Sequence, residues 1–263
     1  MMFGQTAAVA EESDVQALVS LTVSESKRLI AKAVPEMPQV KEAMKNGMVI
    51  LTKGTTNTYV AEEFIGEPIE RGALVYGRVY PEKGTKKLSP DSVISELIFI
   101  KGERQHDLSL ADAVKKLQKG DVVIKGGNAL DYKNKLAAVY IGGGSAGTTG
   151  KFMPYLVGQK ARLIIPIGLE KNIAGDIHDA VHKMRQPVPS LNRVPSMWLL
   201  DGELLTEIEA FKILAHVTAT HVSSGGIGGA EGGVRLLLRG SRKNVEHALK
   251  IVEEILGEPP FVE

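Results

Sequence analysis

The stretch from Asp121 to Lys151, DVVIKGGNALDYKNKLAAVYIGGGSAGTTGK, limits what this chain can fold into more than any other. Val122, Val123 and Ile124 form a β-branched apolar run of strand length, the composition of a strand covered on both faces. The run halts at Lys125-Gly126-Gly127-Asn128, residues that permit sharp reversals. A second run, Leu136 to Ile141, ends in Gly142-Gly143-Gly144-Ser145-Ala146-Gly147-Thr148-Thr149-Gly150-Lys151. Glycines let backbone N–H groups approach a phosphate closely, hydroxyls donate, and a lysine adds charge. The run therefore has the parts of an anion cradle. It matches neither a Walker A sequence nor Gly-x-Gly-x-x-Gly with a following ribose-binding acid.

The same grammar appears earlier. Met48 to Leu51 reads as a buried strand followed at once by Thr52-Lys53-Gly54-Thr55-Thr56-Asn57-Thr58, with a helix continuing to Ile65 and stopping at Gly66. Thr55, Thr56 and Asn57 thus stand at a helix N-terminus, where the dipole and unpaired N–H groups favour an anion. One of them can equally serve as a plain helix cap.

Around these runs, apolar spacing predicts a helix over 13–34 capped by Ser13 or Asp14, and a shorter one from Pro38 to Asn46. Strand-like pieces follow at 73–80 and 93–100, with a turn at Pro81 to Gly84, then a helix from Asp107 or Ser109 to Leu117. Further helices are expected at 152–158 and 170–186, with a strand at 161–167 between them. Pro187, Pro189 and Pro195 mark the strongest boundary. Beyond it, 196–200, 203–216, 217–224, 234–239, 241–256 and 260–262 read as βαββαβ, the ferredoxin-like plan. The expected architecture is α/β: a Rossmann-like, mostly parallel sheet with helices on both faces over 1–190, and a ferredoxin-like α+β lobe over 191–263.

Composition narrows the function. A formal charge of +1 and 5% aromatic residues give neither a bulk basic field nor a stacking surface, so no nucleic-acid partner is expected. No apolar run approaches the roughly 18 residues of a membrane helix, and the N-terminus lacks the basic start and apolar core of a secretory signal, so a cytoplasmic location without membrane contact is expected. The absence of cysteine removes disulfides, thiolate metal sites and cysteine nucleophiles. His178 and His182 lie four apart on an expected helix, but HDAVH lacks the interior glutamate of a zincin, and no metal is assigned. The sequence names no cofactor.

In a parallel sheet, ligands sit beyond the carboxyl ends of the strands. Three polar turns there would converge on one pocket for a small anionic ligand: Lys53, Gly54, Thr55, Thr56 and Asn57; then Lys125, Gly126, Gly127 and Asn128; then Gly143, Gly144, Ser145, Gly147, Thr148, Thr149 and Lys151. Asp131 is the candidate general base, with Lys125 and Lys151 as an electrostatic clamp; the alternative for Asp131 is a turn-forming or capping aspartate. Lys125 binds an anion or is simply solvated.

The order of these turns resembles the superfamily that contains type A ribose-phosphate isomerase, glucosamine-phosphate deaminase and CoA transferases. KGTTNT at 53–58 is similar in place and chemistry to the isomerases' sugar-phosphate turn, and IKGGNALD at 124–131 resembles their strand ending in Asp-Gly-Ala-Asp. Asn134-Lys135 and Gly147-Thr148 are similar to the methylthioribose-phosphate isomerase branch. The resemblance implies a sugar-phosphate isomerase or an acyl- or CoA-type transferase, with a ferredoxin-like appendage. Lys125 and Asn128 stand where the isomerase pattern has acids, and no Glu-Lys pair follows the glycine run. A non-catalytic metabolite-sensing module is therefore the second reading. A structural homo-oligomer packed through glycine loops such as Gly225 to Gly233 is the third; a homo-oligomer is in any case expected.

Overall fold

The computed structural model describes residues 14–80 and 90–261. The expected turn at 81–84, the Ser13 cap and Val262 lie outside them. The chain is α/β, with three sheets and eight helices among the described residues.

The expected helix over 13–34 is instead a strand and a helix: β1 (Val15–Leu21) and α1 (Val23–Ala33). Val15, Ala17, Val19 and Leu21 alternate toward the core, a period of two. Thr22 then opens α1 through a capping box, its hydroxyl accepting from the Glu25 N–H while the Glu25 carboxylate accepts from the Thr22 N–H at 2.8 Å. α2 (Pro38–Asn46) leads into β2 (Met48–Leu51), and α3 (Thr55–Ile65) ends on Gly66 in the left-handed conformation. Residues 73–80 form no strand, although Ala73, Leu74 and Val75 are buried. The second expected piece forms its strand only at β3 (Leu97–Ile100), followed by β4 (Glu103–Arg104) and the short α4 (Leu110–Ala113).

The stretch at 121–151 contains β5 (Val122–Ile124), β6 (Ala129–Asp131) and β7 (Leu136–Ile141). Next come α5 (Gly147–Gln159), β8 (Arg162–Pro166), α6 (Ile177–Arg185), β9 (Ser196–Leu200) and β10 (Glu203–Leu205). The chain closes with α7 (Glu207–Ala215), β11 (Thr218–Ser224), β12 (Val234–Gly240) and α8 (Arg242–Ile255).

The main sheet runs β10-β8-β5-β2-β3-β4, with the first four strands parallel and the last two antiparallel on one edge. Each parallel strand lies beside its predecessor, so four strand ends share one rim. β5 is fully buried, as its composition requires. A second sheet, β6-β7-β9, and a third, β1-β12-β11, are antiparallel.

The tail does not build βαββαβ from its own residues. β9 pairs with β7, β10 pairs with β8, and the N-terminal β1 takes a place beside β12. Residues 260–261 form no strand. One hydrophobic core runs from Val19 of β1 through the main sheet to Ile255 of α8. α1 is wedged between α3 and the pair α7 and α8.

Candidate functional site

The rim begins where β2 ends. Thr52 continues the strand by donating its N–H to Ile124 O at 3.0 Å, and its hydroxyl donates to the same oxygen at 2.9 Å. Asn57 reaches back from the first turn of α3 and donates its side-chain N–H to Thr52 O at 2.8 Å and to Ile124 O at 3.3 Å. The turns after β2 and β5 are thereby tied together. Gly54 holds its place by donating to Leu74 O at 2.9 Å and offers no side chain to cap α3. The first-turn N–H groups of Thr55, Thr56 and Asn57 are left without a side-chain acceptor from the cap residue. Thr56 and Asn57 are buried, yet Thr56 Oγ1 and Asn57 Oδ1 have no hydrogen-bond partner among the described residues.

The next three strand ends bring charge. After β5, Lys125 Nζ donates to Gly126 O at 3.0 Å; after β8, Lys171 Nζ donates to Gly127 O at 2.9 Å. Two lysine heads are thus fixed on consecutive carbonyls. Glu170 folds back over Gly168, where any Cβ would collide with its carboxylate, and its Oε2 is buried and unpartnered. After β10, Glu207 is fully buried and accepts from the Leu169 N–H at 3.0 Å. α1 roofs the site with Ser26 and Lys27, both buried; Ser26 Oγ approaches Glu207 without reaching ordinary hydrogen-bond geometry.

Burial and mutual repulsion set the electrostatics. Burial first, and Lys171 second, bring the Lys125 ammonium down to about 8. Burial again, with Lys171 repelling and Glu170 attracting, holds Lys27 at about 8. Burial, helped by the neighbouring Glu170 carboxylate, pushes Glu207 up to about 7. None of these three lysines and two acids joins an ion pair within 4.0 Å among the described residues. The arginines of the same helix layer do: Arg28 bridges Glu62, Glu63 and Glu258, and Arg71 bridges Glu62 and Glu258.

The remaining expected residues are placed differently. Lys53 is half-buried beside Gly54. Asn128 is exposed, and its side-chain oxygen accepts from the Tyr140 N–H at 3.0 Å, a hairpin role. The Asp131 carboxylate is buried and accepts from the Asn134 N–H, from Asn134 Nδ2 at 2.9 Å and from the Ile177 N–H. Burial opposes its ionisation, but these three donors outweigh it and hold its pKa below the ordinary value, which makes it a weak base. The glycine run is largely exposed through Ser145, and Gly147, Thr148 and Thr149 form the first turn of α5 rather than a loop before a helix at 152. Thr148 Oγ1 lies 3.4 Å from Glu96, the residue ahead of β3, so this turn sits on the β3 side of the rim, while Lys151 is exposed on α5. His178 and His182 are exposed on α6, and no group of three or more metal-ligating side chains occurs among the described residues. A cleft of about 860 Å³ opens beside the rim; Asp131, Asn134, Leu169, Asp176, Thr220 and His221 are among its walls.

Glu170 and Lys171 come after the apolar run ARLIIPI and the intervening Gly168-Leu169, so only a strand-end rule extended past those two residues selects them along with Lys125. Lys27 and Glu207 carry no such signal: one lies in a polar helix start, the other reads as a helix-opening acid. No family model, curated protein or solved structure matches the chain.

Proposed function

We propose that the protein binds a small phosphorylated or carboxylated metabolite at the rim formed by the ends of β2, β5, β8 and β10, and moves a proton on it. One observation carries the reading: the buried Lys27 and the partly buried Lys125 each lie close enough to Lys171 to feel its charge, and none of the three joins an ion pair among the described residues. Burying an unpaired ammonium is costly, and an anion among three of them offsets that cost. The open N–H groups at the start of α3 supply further donors for the same charge.

Glu207, with a pKa near neutrality, gives and takes a proton at physiological pH, with the Glu170 carboxylate beside it. The residues assigned here are therefore Lys27, Lys125 and Lys171 for the anion and the Glu170–Glu207 pair for proton transfer. The Asp131 base and the Lys151 clamp are set aside. Isomerisation of a sugar phosphate, or acyl transfer, remains the reaction class that the resembling superfamily suggests.

Inorganic phosphate and small carboxylates, each well above its Kd, raise the thermal midpoint by an amount equivalent to roughly 2–4 kcal/mol. Lys27→Met and Lys171→Met together abolish that shift while leaving a cooperative transition. A double variant that is still stabilised as strongly as the wild type sinks the reading.

A further inference from the structure

The geometry points to Lys125 as a nucleophile that captures the carbonyl carbon of an anionic oxo compound as an imine. This rests on the anion-binding reading above and narrows its substrate class to metabolites carrying both a negative group and an aldehyde or ketone. Three features of the side chain single it out. It directly follows the buried strand β5, and its own N–H donates to Ile164 O of β8 at 3.0 Å, which fixes its backbone. Its nitrogen donates to Gly126 O, a bond that a neutral amine makes as well as an ammonium, so the lone pair is freed without losing the contact. It retains exposed surface, whereas Lys27 is buried.

Lys171, held on the adjacent carbonyl, favours the neutral form of Lys125. Burial is the larger cause, and the two together bring the Lys125 amine to about 8, against 10.5 for an ordinary lysine.

The step balances without an oxidant or reductant. The Lys125 lone pair forms a bond to the carbonyl carbon while the C=O π pair moves to oxygen, which takes a proton from the Glu170–Glu207 pair. The resulting carbinolamine nitrogen loses a proton to the same pair. The pair protonates the hydroxyl, which leaves as water as the nitrogen lone pair forms the C=N bond, and the iminium returns its N–H proton to the pair.

The test traps the imine in the full-length protein with sodium cyanoborohydride and maps the adduct by peptide mass spectrometry. Pyruvate and glycolaldehyde phosphate serve as separate probes, and inorganic phosphate serves as competitor. The expected result is labelling at Lys125 with at least one probe, about tenfold or more over exposed lysines such as Lys160, as a pKa lower by at least one unit requires. Phosphate suppresses it. Lys125→Arg keeps the cation but loses the label, and a cooperative thermal transition shows that it is folded. In Lys171→Gln, the pH midpoint of labelling moves upward, a change that a merely structural Lys171 would not produce.

Thermal shifts recorded without reductant separate the two readings. If a probe stabilises the protein but labels Lys125 no faster than surface lysines, the imine is overturned and anion binding stands. If neither phosphate nor either probe stabilises the protein, both fall.

Discussion

Buried cations meet two fates in one layer of this molecule. Arg28 and Arg71 lie over the Tyr59 ring at 4.8 and 4.3 Å from its centroid and are fully occupied by Glu62, Glu63 and Glu258. A planar guanidinium suits several carboxylates at once. Among the described residues, Lys27, Lys125 and Lys171 have no such partners, and the nearby acids Glu170 and Glu207 repel each other. Glu207 makes that arrangement measurable. The folded chain keeps its proton up to about pH 7, whereas the unfolded chain releases it near 4.5. The stabilisation from holding that proton is complete below pH 4.5 and is lost as pH rises through 7. Chemical denaturation across this window therefore shows stability declining with pH by up to about 3 kcal/mol, on top of any other titration. Glu207→Gln can still accept from the Leu169 N–H and removes that decline; an unchanged slope in the variant would show that Glu207 is ionised throughout. Glu170 and Lys171 are set off from their apolar run by Gly168 and Leu169 and read as the start of a helix over 170–186, whereas Lys125 follows its run directly and is legible in the sequence. Lys27 is not: Ser24, Glu25, Ser26 and Lys27 look like a solvated helix start, and it is the tertiary packing of α3, α7 and α8 against α1 that the sequence does not show.

Elements buried on both faces betray themselves in composition, which is why β2, β5 and β8 are readable as strands. β1 is not, because Val15, Leu18, Val19 and Val23 also fit a helical stripe; the decisive signal was the capping box Thr22-Val23-Ser24-Glu25, which starts the helix eight residues later than Asp14 would. β9 and β10 exist close to where their apolar residues suggest, but a strand's composition does not say with which sheet it pairs. That is settled by distant partners, here β7 and β8. The turn between β5 and β6 is settled by contact distance. A Cβ on Gly127 would stand 2.9 Å from Ile167 Cδ1 and 3.2 Å from Ala138 O, so the main sheet and the β6-β7 hairpin approach here more closely than a side chain allows. Gly127→Ala costs about 1–3 kcal/mol in urea denaturation and disturbs the carbonyl that holds Lys171. Gly126→Ala, with its nearest neighbour at 3.5 Å, costs less. Equal losses at the two positions would remove the close approach as the explanation.

Across the molecule, α1 joins the sheet that bears the rim to the sheet that pairs the first described strand with the last. Arg28 is the principal tie, reaching α3 through Glu62 and Glu63 and the segment after α8 through Glu258. Arg28→Met strands three partly buried carboxylates, with Arg71 as the remaining partner for two of them. It is expected to cost about 3 kcal/mol, read as a lower urea midpoint in one cooperative transition; a loss within about 0.5 kcal/mol, the level of an ordinary surface change, would mean that the network contributes little. The pairing of β1 with β12 has a consequence in time. A ribosome releases β1 early and its hydrogen-bonding partner about 200 residues later, on the order of ten seconds or more at roughly 5–20 residues per second. Throughout that interval β1 carries Val15, Ala17, Val19 and Leu21 with no strand beside it. α1 lacks α7 and α8, and the lysine-lined rim lacks its settled roof. The nascent chain therefore acquires its proposed chemistry only after β12 and α8 have emerged, and a synthesis stalled before residue 234 leaves an edge open to pairing with other chains.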